Sequence, residues 1–381
     1  MTIEQENDIE EELGNEDVKS EIPFDPNDIN ITIIPRTIGQ LVDMLEYDEI
    51  LMPKFQRLPN LWTLKEKSRF IESLMLNLPI PLFYFAEAED KKWHVIDGLQ
   101  RISTLEHFIL GDTKKENSIS KNKTSFKLEN LEFKTEFNGE KWDKLPRDIQ
   151  RRINTNQVTI NLIGKGTPDQ VKYNIFSRIN QGGVPLKPQE IRTALFQGYK
   201  VDFIESLVSE ESHQGKAFIK ATDGSIPKRR QEDLDFATRF IAFYILGYEK
   251  YEPDMDSFLT LGTKNIPANK KEQEKIINDF NSAMALAFEI FADNAFRKLP
   301  ENGRRKPINK PLFEVISVHF SKLNTEHKNK LIKNKKVFLD EYESLQNIRE
   351  FKNSISTGTA NKDSVKERHE KLKTLLEKYI Q

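Results

Sequence analysis

The chain has 381 residues, of which 31% are charged, and its formal net charge is −2. This length is enough for two domains, and the absence of cysteine excludes thiol catalysis, disulfide bonds and cysteine-ligated metals. No apolar run approaches the ~20 residues of a membrane span, and no basic and apolar leader opens the sequence, so we expect a cytoplasmic protein without a membrane partner.

Charge is distributed unevenly along the chain. Residues 1–30 contain eleven acidic residues and one lysine, so this segment carries −10 and the remainder carries +8. Such a composition is typical of disorder, and we expect an acidic, disordered tail. The tail either shields the basic body from the wrong polyanion or only keeps the chain soluble.

The first half of the chain mixes helix and strand patterns. Helix starts are indicated at Thr37 with Gln40, at Thr63 with Glu66, and at Thr167 with Pro168 and Gln170, because each pairs a capping residue with a partner three positions on. Short strands are predicted at four places: about 50–56, 82–86, 93–97 and 157–163.

After about residue 200 the strand signals fade and helical patterns dominate. They cover roughly 231–247, 270–295, 310–323, 327–345 and 363–380. The sequence therefore predicts an α+β fold: a small mixed-sheet domain over residues 31–200, followed by an α-helical domain over residues 201–381. His319 lies in an apolar helix, "FEVISVHF", and is expected to be a satisfied core residue.

The stretch "IDGLQR", residues 96–101, joins a strand to a helix. Asp97 and Gln100 have the spacing of a capping box, and Gly98 eases the turn. Arg101 would then lie in the first helical turn, where the helix dipole disfavours a cation. Either the junction is purely structural, or Arg101 and the exposed N–H groups form an anion site.

Two further stretches carry similar features. In "FSRINQGGVPLKPQEIRTALF", residues 176–196, a helix ends near Arg178 and a double glycine follows, which either caps the helix or exposes N–H groups to a phosphate. For Glu190 and Arg192 in the next helix, a solvated charged face is favoured. In "MPKFQRLPNLW", residues 52–62, Gln56 and Arg57 either end a surface strand or face the same anion.

Read together, these stretches resemble a known family. The order "PKFQR…W", "IDGLQR" and "RIN-GG…QEIR-ALF" is similar to the N-terminal domain of the GmrSD-type modification-dependent restriction enzymes, whose fold is ParB- and sulfiredoxin-like. Two later stretches also look familial, at 228–244 and 354–372. One difference is Leu99, which stands where the family's usual motif, Asp-Gly-Gln-Gln-Arg, has its first glutamine.

The resemblance implies a nucleoside triphosphatase with Mg²⁺, linked to DNA sensing in defence against phage or foreign DNA. Asp97 would hold the metal or position water, and Gln100 and Arg101 would contact the triphosphate. The residues implied to line the nucleotide pocket are Gln56, Arg57, Gly98, Arg178, Asn180, Gly182 and Gly183. If Leu99 abolishes hydrolysis, the protein is instead a sensor of DNA or nucleotide that recruits a separate nuclease or defence subunit.

Other functions are weaker on sequence grounds. The six histidines form no cluster suited to an HNH nuclease, so we expect a stand-alone member without that domain. A nuclease using Asp97 and Glu190 for metal lacks a dense acidic cluster, and redox chemistry of the sulfiredoxin type lacks its cysteine. Lysine-rich and arginine-rich stretches such as 227–230 and 303–307 either contact DNA phosphates or are solvated surface. The sequence leaves open whether the chain forms a homo-oligomer.

Overall fold

The computed structural model describes residues 9–10, 30–51, 62–88, 91–111, 125–179, 186–196, 198–300 and 304–380. These residues belong to two compact units. The sheet unit lies within residues 23–186, and the helical unit lies within residues 187–381, to which the segment 1–22 is assigned. The predicted order, a mixed-sheet region followed by a helical region, is confirmed.

The described part of the sheet unit contains one mixed sheet. Its strands are β1 (Ile31–Thr37), β2 (Ile50–Leu51), β3 (Phe83–Glu87), β4 (Trp93–Asp97) and β5 (Gln157–Ile163). The strand order is β1-β5-β3-β4-β2. β3 runs antiparallel to β4 and parallel to β5, so Asp97 at the end of β4 lies opposite Tyr84 near the start of β3.

Strand β1 is absent from the sequence prediction, because Pro35 interrupts its apolar pattern. Proline cannot donate to a ladder and is tolerated in edge strands. β1 is such an edge strand, paired only with β5 among the described strands, in antiparallel register from Ile31–Ile163 to Thr37–Gln157.

Helices cover the sheet and enclose the first core. They are α1 (Ile38–Glu46), α2 (Leu64–Met75), α3 (Leu99–Leu105), α4 (Arg147–Thr155) and α5 (Asp169–Ile179). Two of the three predicted capping pairs, Thr37 with Gln40 and Thr63 with Glu66, are formed. In the third, Thr167 with Gln170, the Gln170 side chain lies outside the described residues. The core packs residues of α1 to α4 against Phe83, Phe85 and Val95 of the sheet.

The helical unit consists of the remaining helices. They are α6 (Pro188–Leu195), α7 (Tyr199–Val208), α8 (Lys216–Thr222), α9 (Glu232–Leu246), α10 (Met255–Lys264), α11 (Lys270–Phe291), α12 (Lys310–Ser321), α13 (Thr325–Lys333), α14 (Lys335–Asn347), α15 (Arg349–Ser354) and α16 (Lys362–Ile380). α12 is buried along nearly its whole length. Phe236 of α9 and Phe280 of α11 belong with Phe313 of α12 to the aromatic core. Among the described helices, none has both the length and the apolar character needed to cross a membrane.

Helix α6 packs within the helical unit, although it precedes the domain boundary expected near residue 200. Arg192 is 1% exposed and donates to Asp235 at 2.8 Å and to Asp256 at 2.8 Å. Glu190 is also buried and accepts from Arg230. The solvated charged face favoured for Glu190 and Arg192 is therefore wrong, because carboxylates and a guanidinium from distant segments bury them.

Two residues of the acidic N-terminal segment contact the helical unit. Ile9 forms a parallel bridge with Ile308, and the Glu10 carboxylate accepts from Lys298 at 2.5 Å and from Asn309 at 3.1 Å. Apart from these two residues and Asn30, the segment predicted to be a disordered tail lies outside the described residues.

A buried charge network joins α9, α12 and α16. Glu314 is fully buried and accepts from Arg368 at 2.8 and 2.9 Å and from Arg239 at 3.3 Å. Arg368 also donates to the carbonyls of Ser354 and Thr359. These partners hold the pKa of Glu314 low, at about 2, although burial opposes them.

The network continues into a histidine pair. His369 Nε2 lies 3.1 Å from Glu314, and His369 Nδ1 lies 3.2 Å from His319 Nε2. Two neutral rings satisfy this chain when His319 donates to His369 and His369 donates to Glu314. His319 is thus a satisfied core residue, as predicted, and burial lowers the pKa of both histidines.

Replacing Arg368 with methionine should lower the free energy of unfolding by about 3–5 kcal/mol, because it leaves the Glu314 carboxylate buried without its main partner. Urea denaturation followed by circular dichroism measures the loss. Arg349→Met, at an exposed position of α15, is the control. A loss below about 1 kcal/mol for Arg368→Met would contradict this role of the pair.

The histidine pair predicts a pH dependence of stability. Because burial depresses both pKa values, the unfolded chain binds protons that the folded chain does not, and stability falls as the pH drops below about 6.5. Unfolding free energies measured from pH 7.5 to pH 5 should therefore decline, and His319→Gln should reduce the slope. The exposed His213→Gln variant should keep the wild-type slope; an unchanged slope in His319→Gln would refute the assignment.

Candidate functional site

The strand-to-helix junction at residues 97–101 requires glycine at its second position. Gly98 has a φ of +99°, in the left-handed region that other residues rarely adopt. A Cβ atom there would lie 2.5 Å from the Phe83 ring. The chain can therefore turn from β4 into α3 at this point only because no side chain separates Gly98 from Phe83.

Arg101 is held inside the fold by its guanidinium. Arg101 as a whole is 8% exposed. Its Nη2 donates to Asp97 Oδ2 at 3.0 Å and to the Leu82 carbonyl at 3.1 Å. Nη1 donates to the Pro81 carbonyl, and the guanidinium lies 4.5 Å from the centre of the Phe83 ring. Burial lowers the pKa of Arg101, and the Asp97 carboxylate opposes this shift.

These contacts explain why an arginine occupies the first turn of α3. The dipole penalty is offset by a carboxylate, two carbonyls and an aromatic face. Arg101 joins the chain entering β3 to the end of β4. It therefore fixes the positions of these two strand ends relative to each other.

The capping box considered for Asp97 and Gln100 is not formed. The N-cap residue of α3 is Gly98, and no side chain caps the helix. The Asp97 carboxylate pairs with Arg101, and Gln100 Oε1 instead accepts from the backbone N–H of Trp62 at 3.3 Å. Tertiary partners have replaced the local pairing that the spacing suggested.

Asp97 is the chemically available member of this cluster. Its side chain is 38% exposed, whereas that of Arg101 is 10% exposed. A carboxylate whose orientation is fixed by a buried cation is a preorganised ligand or acceptor. In the described part of the chain, no three His, Asp or Glu side chains are grouped to hold a metal ion. Mg²⁺ is commonly held by one or two carboxylates and substrate phosphates, and Asp97 fits that mode.

The Gln100–Trp62 contact links two of the sequence stretches. Trp62 is the first described residue after the segment 52–61 and packs against Phe70, with ring centres 5.7 Å apart. Trp62, which directly follows the segment that carries Gln56 and Arg57, is therefore attached beside the start of α3. Gln56 and Arg57 themselves lie outside the described residues.

The remaining predicted residues are only partly described. Arg178 lies in the last turn of α5 and is exposed, and none of the described contacts joins it to Asp97 or Arg101. The other three predicted residues, Asn180, Gly182 and Gly183, lie outside the described residues. Their roles stay predictions.

Sequence reasoning missed the residues that support Arg101. The carbonyls of Pro81 and Leu82 and the ring of Phe83 come from the stretch "PIPLF", residues 79–83, where the sequence predicts only the start of a strand. The prolines of this stretch were the available signal. A proline has no N–H to donate to a sheet, so the chain there leaves carbonyls open to other donors.

Removing the guanidinium should destabilise the sheet unit. Arg101→Ala leaves two carbonyls without their donor, and we expect a loss of about 2–4 kcal/mol in unfolding free energy. Arg101→Lys should recover only part of it, because an ammonium cannot make the same fork. Urea unfolding measures these values, with the exposed Arg178→Ala as control; wild-type stability of Arg101→Ala would contradict the clamp.

Residues 38–197 match a family model described as GmrSD restriction endonuclease, N-terminal domain. The matched range begins at α1 and includes β2 to β5, the junction at residues 97–101 and α6. No curated protein and no solved structure matches the chain.

Proposed function

Because residues 38–197 match the model of the GmrSD restriction endonuclease N-terminal domain, we propose that the protein acts in the restriction of foreign DNA. In this proposal the sheet unit binds and hydrolyses a nucleoside triphosphate. The observation that supports it best is the partly exposed Asp97 carboxylate, held in one orientation by the buried Arg101 at the start of a helix.

Each residue at the junction has a distinct role in the proposal. Asp97 and the phosphates would together hold Mg²⁺. Arg101 fixes the orientation of the Asp97 carboxylate through their ion pair. A bound Mg²⁺ would neutralise charge on the phosphate oxygens. Arg101 is therefore a positioning residue, since its guanidinium already bonds Asp97 and two carbonyls.

The neighbouring segments complete the proposed pocket. Gln100 accepts from the backbone N–H of Trp62, the first described residue after the segment that carries Gln56 and Arg57. Donors to the triphosphate would come from Gln56, Arg57, Gly98, Gln100, Arg178, Asn180, Gly182 and Gly183. DNA and a separate nuclease or defence subunit are the proposed partners.

Leu99 supports a second candidate. It lies at the first position of α3, where the resembled motif has glutamine. If that side chain orients the attacking water, this protein binds nucleotide without turnover and acts as a sensor that regulates a separate nuclease.

The test is phosphate release from each of the four ribonucleoside triphosphates with Mg²⁺, with and without DNA. We expect release that falls at least about tenfold in Asp97→Asn, because the metal-binding charge is lost. Asp143→Asn is the matched control, since Asp143 is an exposed carboxylate of the same unit that also pairs with a cation, Lys144.

Leu99→Gln separates the two candidates. If the wild-type protein binds nucleotide without release and Leu99→Gln gains release, the protein is a sensor. If the wild-type protein releases phosphate, equal release from Asp97→Asn would refute the site. Absence of both binding and release would refute the nucleotide proposal.

A further inference from the structure

The helical unit contains a short β ladder that the N-terminal segment 1–22 extends. Ile308 forms an antiparallel bridge with Arg297 on one side and a parallel bridge with Ile9 on the other. The Glu10 N–H donates to the Ile308 carbonyl at 2.9 Å. Backbone pairing of this kind is how an extended peptide docks on the edge of a sheet. The helical unit therefore offers an edge, and a segment from far away in the sequence fills it.

An apolar side chain anchors the docked segment. Ile308 is fully buried, and Ile9 is partly buried and packs against the hydrophobic core of the helical unit. In strand addition, main-chain hydrogen bonds give affinity and the contacts of individual side chains give specificity. The position of Ile9 therefore selects an apolar residue.

The next residue, Glu10, places its carboxylate between two donors. Lys298 Nζ donates to it at 2.5 Å, and Asn309 Nδ2 donates to it at 3.1 Å. Both donors have other partners that fix them. Lys298 also donates to Ser356 Oγ at 2.7 Å, and Asn309, which is 3% exposed, also donates to the Ile355 carbonyl and caps α12. Donors held in this way are preorganised for a carboxylate.

The charges of the two partners are complementary. The segment 1–22 contains nine acidic residues and one lysine. The stretch 297–306, which leads into Ile308, contains five basic residues and one glutamate. Complementary potentials steer an acidic segment towards this surface and disfavour a basic one.

The described contact is small. It consists of residues 9–10, and the side chains of Glu10 and Lys298 remain 32% and 20% exposed. Two residues cover far less surface than the interface of a stable complex between separate molecules. A covalent tether compensates, because it supplies an effective concentration of the order of mM. Docking is therefore favoured within one chain and stays open to competition.

We propose that this surface is a docking site for an extended protein segment in which an apolar residue precedes a glutamate. The site consists of five residues of the helical unit: Arg297, Lys298, Ile308, Asn309 and Ser356. Its resident ligand is the pair Ile9 and Glu10 of the same chain, and a partner protein that presents the same pair displaces it. The inference goes beyond the nucleotide chemistry proposed for Asp97 and does not depend on it.

Hydrogen–deuterium exchange of the full chain, resolved to the Glu10 amide, tests the docking. We expect this amide to exchange at least about tenfold more slowly than in a free peptide of residues 1–22, because it donates to the Ile308 carbonyl. Lys298→Gln should reduce the protection severalfold. Lys172→Gln is the matched control, since Lys172 is also mostly buried and pairs with one aspartate.

Thermal unfolding checks that both variants are folded. Glu10→Gln changes the N-terminal segment alone, removes the same ion pair and serves if Lys298→Gln is not folded.

A peptide added in trans tests the exchange. The double variant Ile9→Ser with Glu10→Gln releases the resident segment, and a fluorescent peptide of residues 1–22 is titrated to about 1 mM, the range of the effective concentration. We expect saturable binding by fluorescence anisotropy. The wild-type chain, whose own segment competes, should bind the peptide at least about tenfold more weakly, and a peptide with the same two substitutions should not bind.

Four results would overturn the inference. The first is a Glu10 amide that exchanges as fast in the folded wild-type chain as in the free peptide, and the second is failure of the double variant to bind the peptide. The third is loss of Glu10 protection on adding an unphosphorylated DNA duplex but not on adding the peptide, which would assign the cations to a nucleic-acid backbone. The fourth is loss of protection on dilution, which would place the segment of a second copy in the site.

Discussion

The buried pair between Glu314 and Arg368 is the interaction on which the helical unit depends. Both side chains are fully buried, and such a pair is tolerable only when the remaining donors and acceptors are satisfied. Arg239 and His369 supply the remaining hydrogen bonds to the Glu314 carboxylate. The carbonyls of Ser354 and Thr359 accept the remaining hydrogen bonds of the Arg368 guanidinium. The same guanidinium that neutralises Glu314 therefore also fixes the chain between α15 and α16.

Arg101 applies the same principle in the sheet unit. A buried arginine is satisfied by two carbonyls and one carboxylate, and the carboxylate of Asp97 keeps part of its surface in solvent. Its orientation is set before any ligand arrives, which is the condition for electrostatic preorganisation. Phe83 is packed between Gly98 and Arg101, so one aromatic ring supports both the turn and the clamp.

Local signals were sufficient for the features that local contacts create. The structure has the capping boxes at Thr37 and Thr63, the strand 93–97 and four of the five long helices, all of which follow from neighbouring residues. The helix predicted at 327–345 is divided into α13 and α14. Features that depend on distant partners were not predictable in this way. The Asp97 carboxylate pairs with Arg101 and forms no capping box. Arg192 is buried against carboxylates that lie 43 and 64 positions away in the sequence. The contact of His319 with His369 likewise joins residues 50 positions apart.

A cation at the start of a helix is a useful sequence signal with two different physical origins. Arg101 is nearly enclosed, and carbonyls and a ring satisfy it, so it stabilises the fold. Lys187 is half-exposed, and the partner described for its ammonium is the carboxylate of Glu232. Without Arg101 the buried carbonyls would be left unsatisfied, whereas without Lys187 the Glu232 carboxylate would keep its ion pair with Lys310. Exposure and partner type, which only the three-dimensional structure supplies, therefore decide how far the fold depends on such a residue.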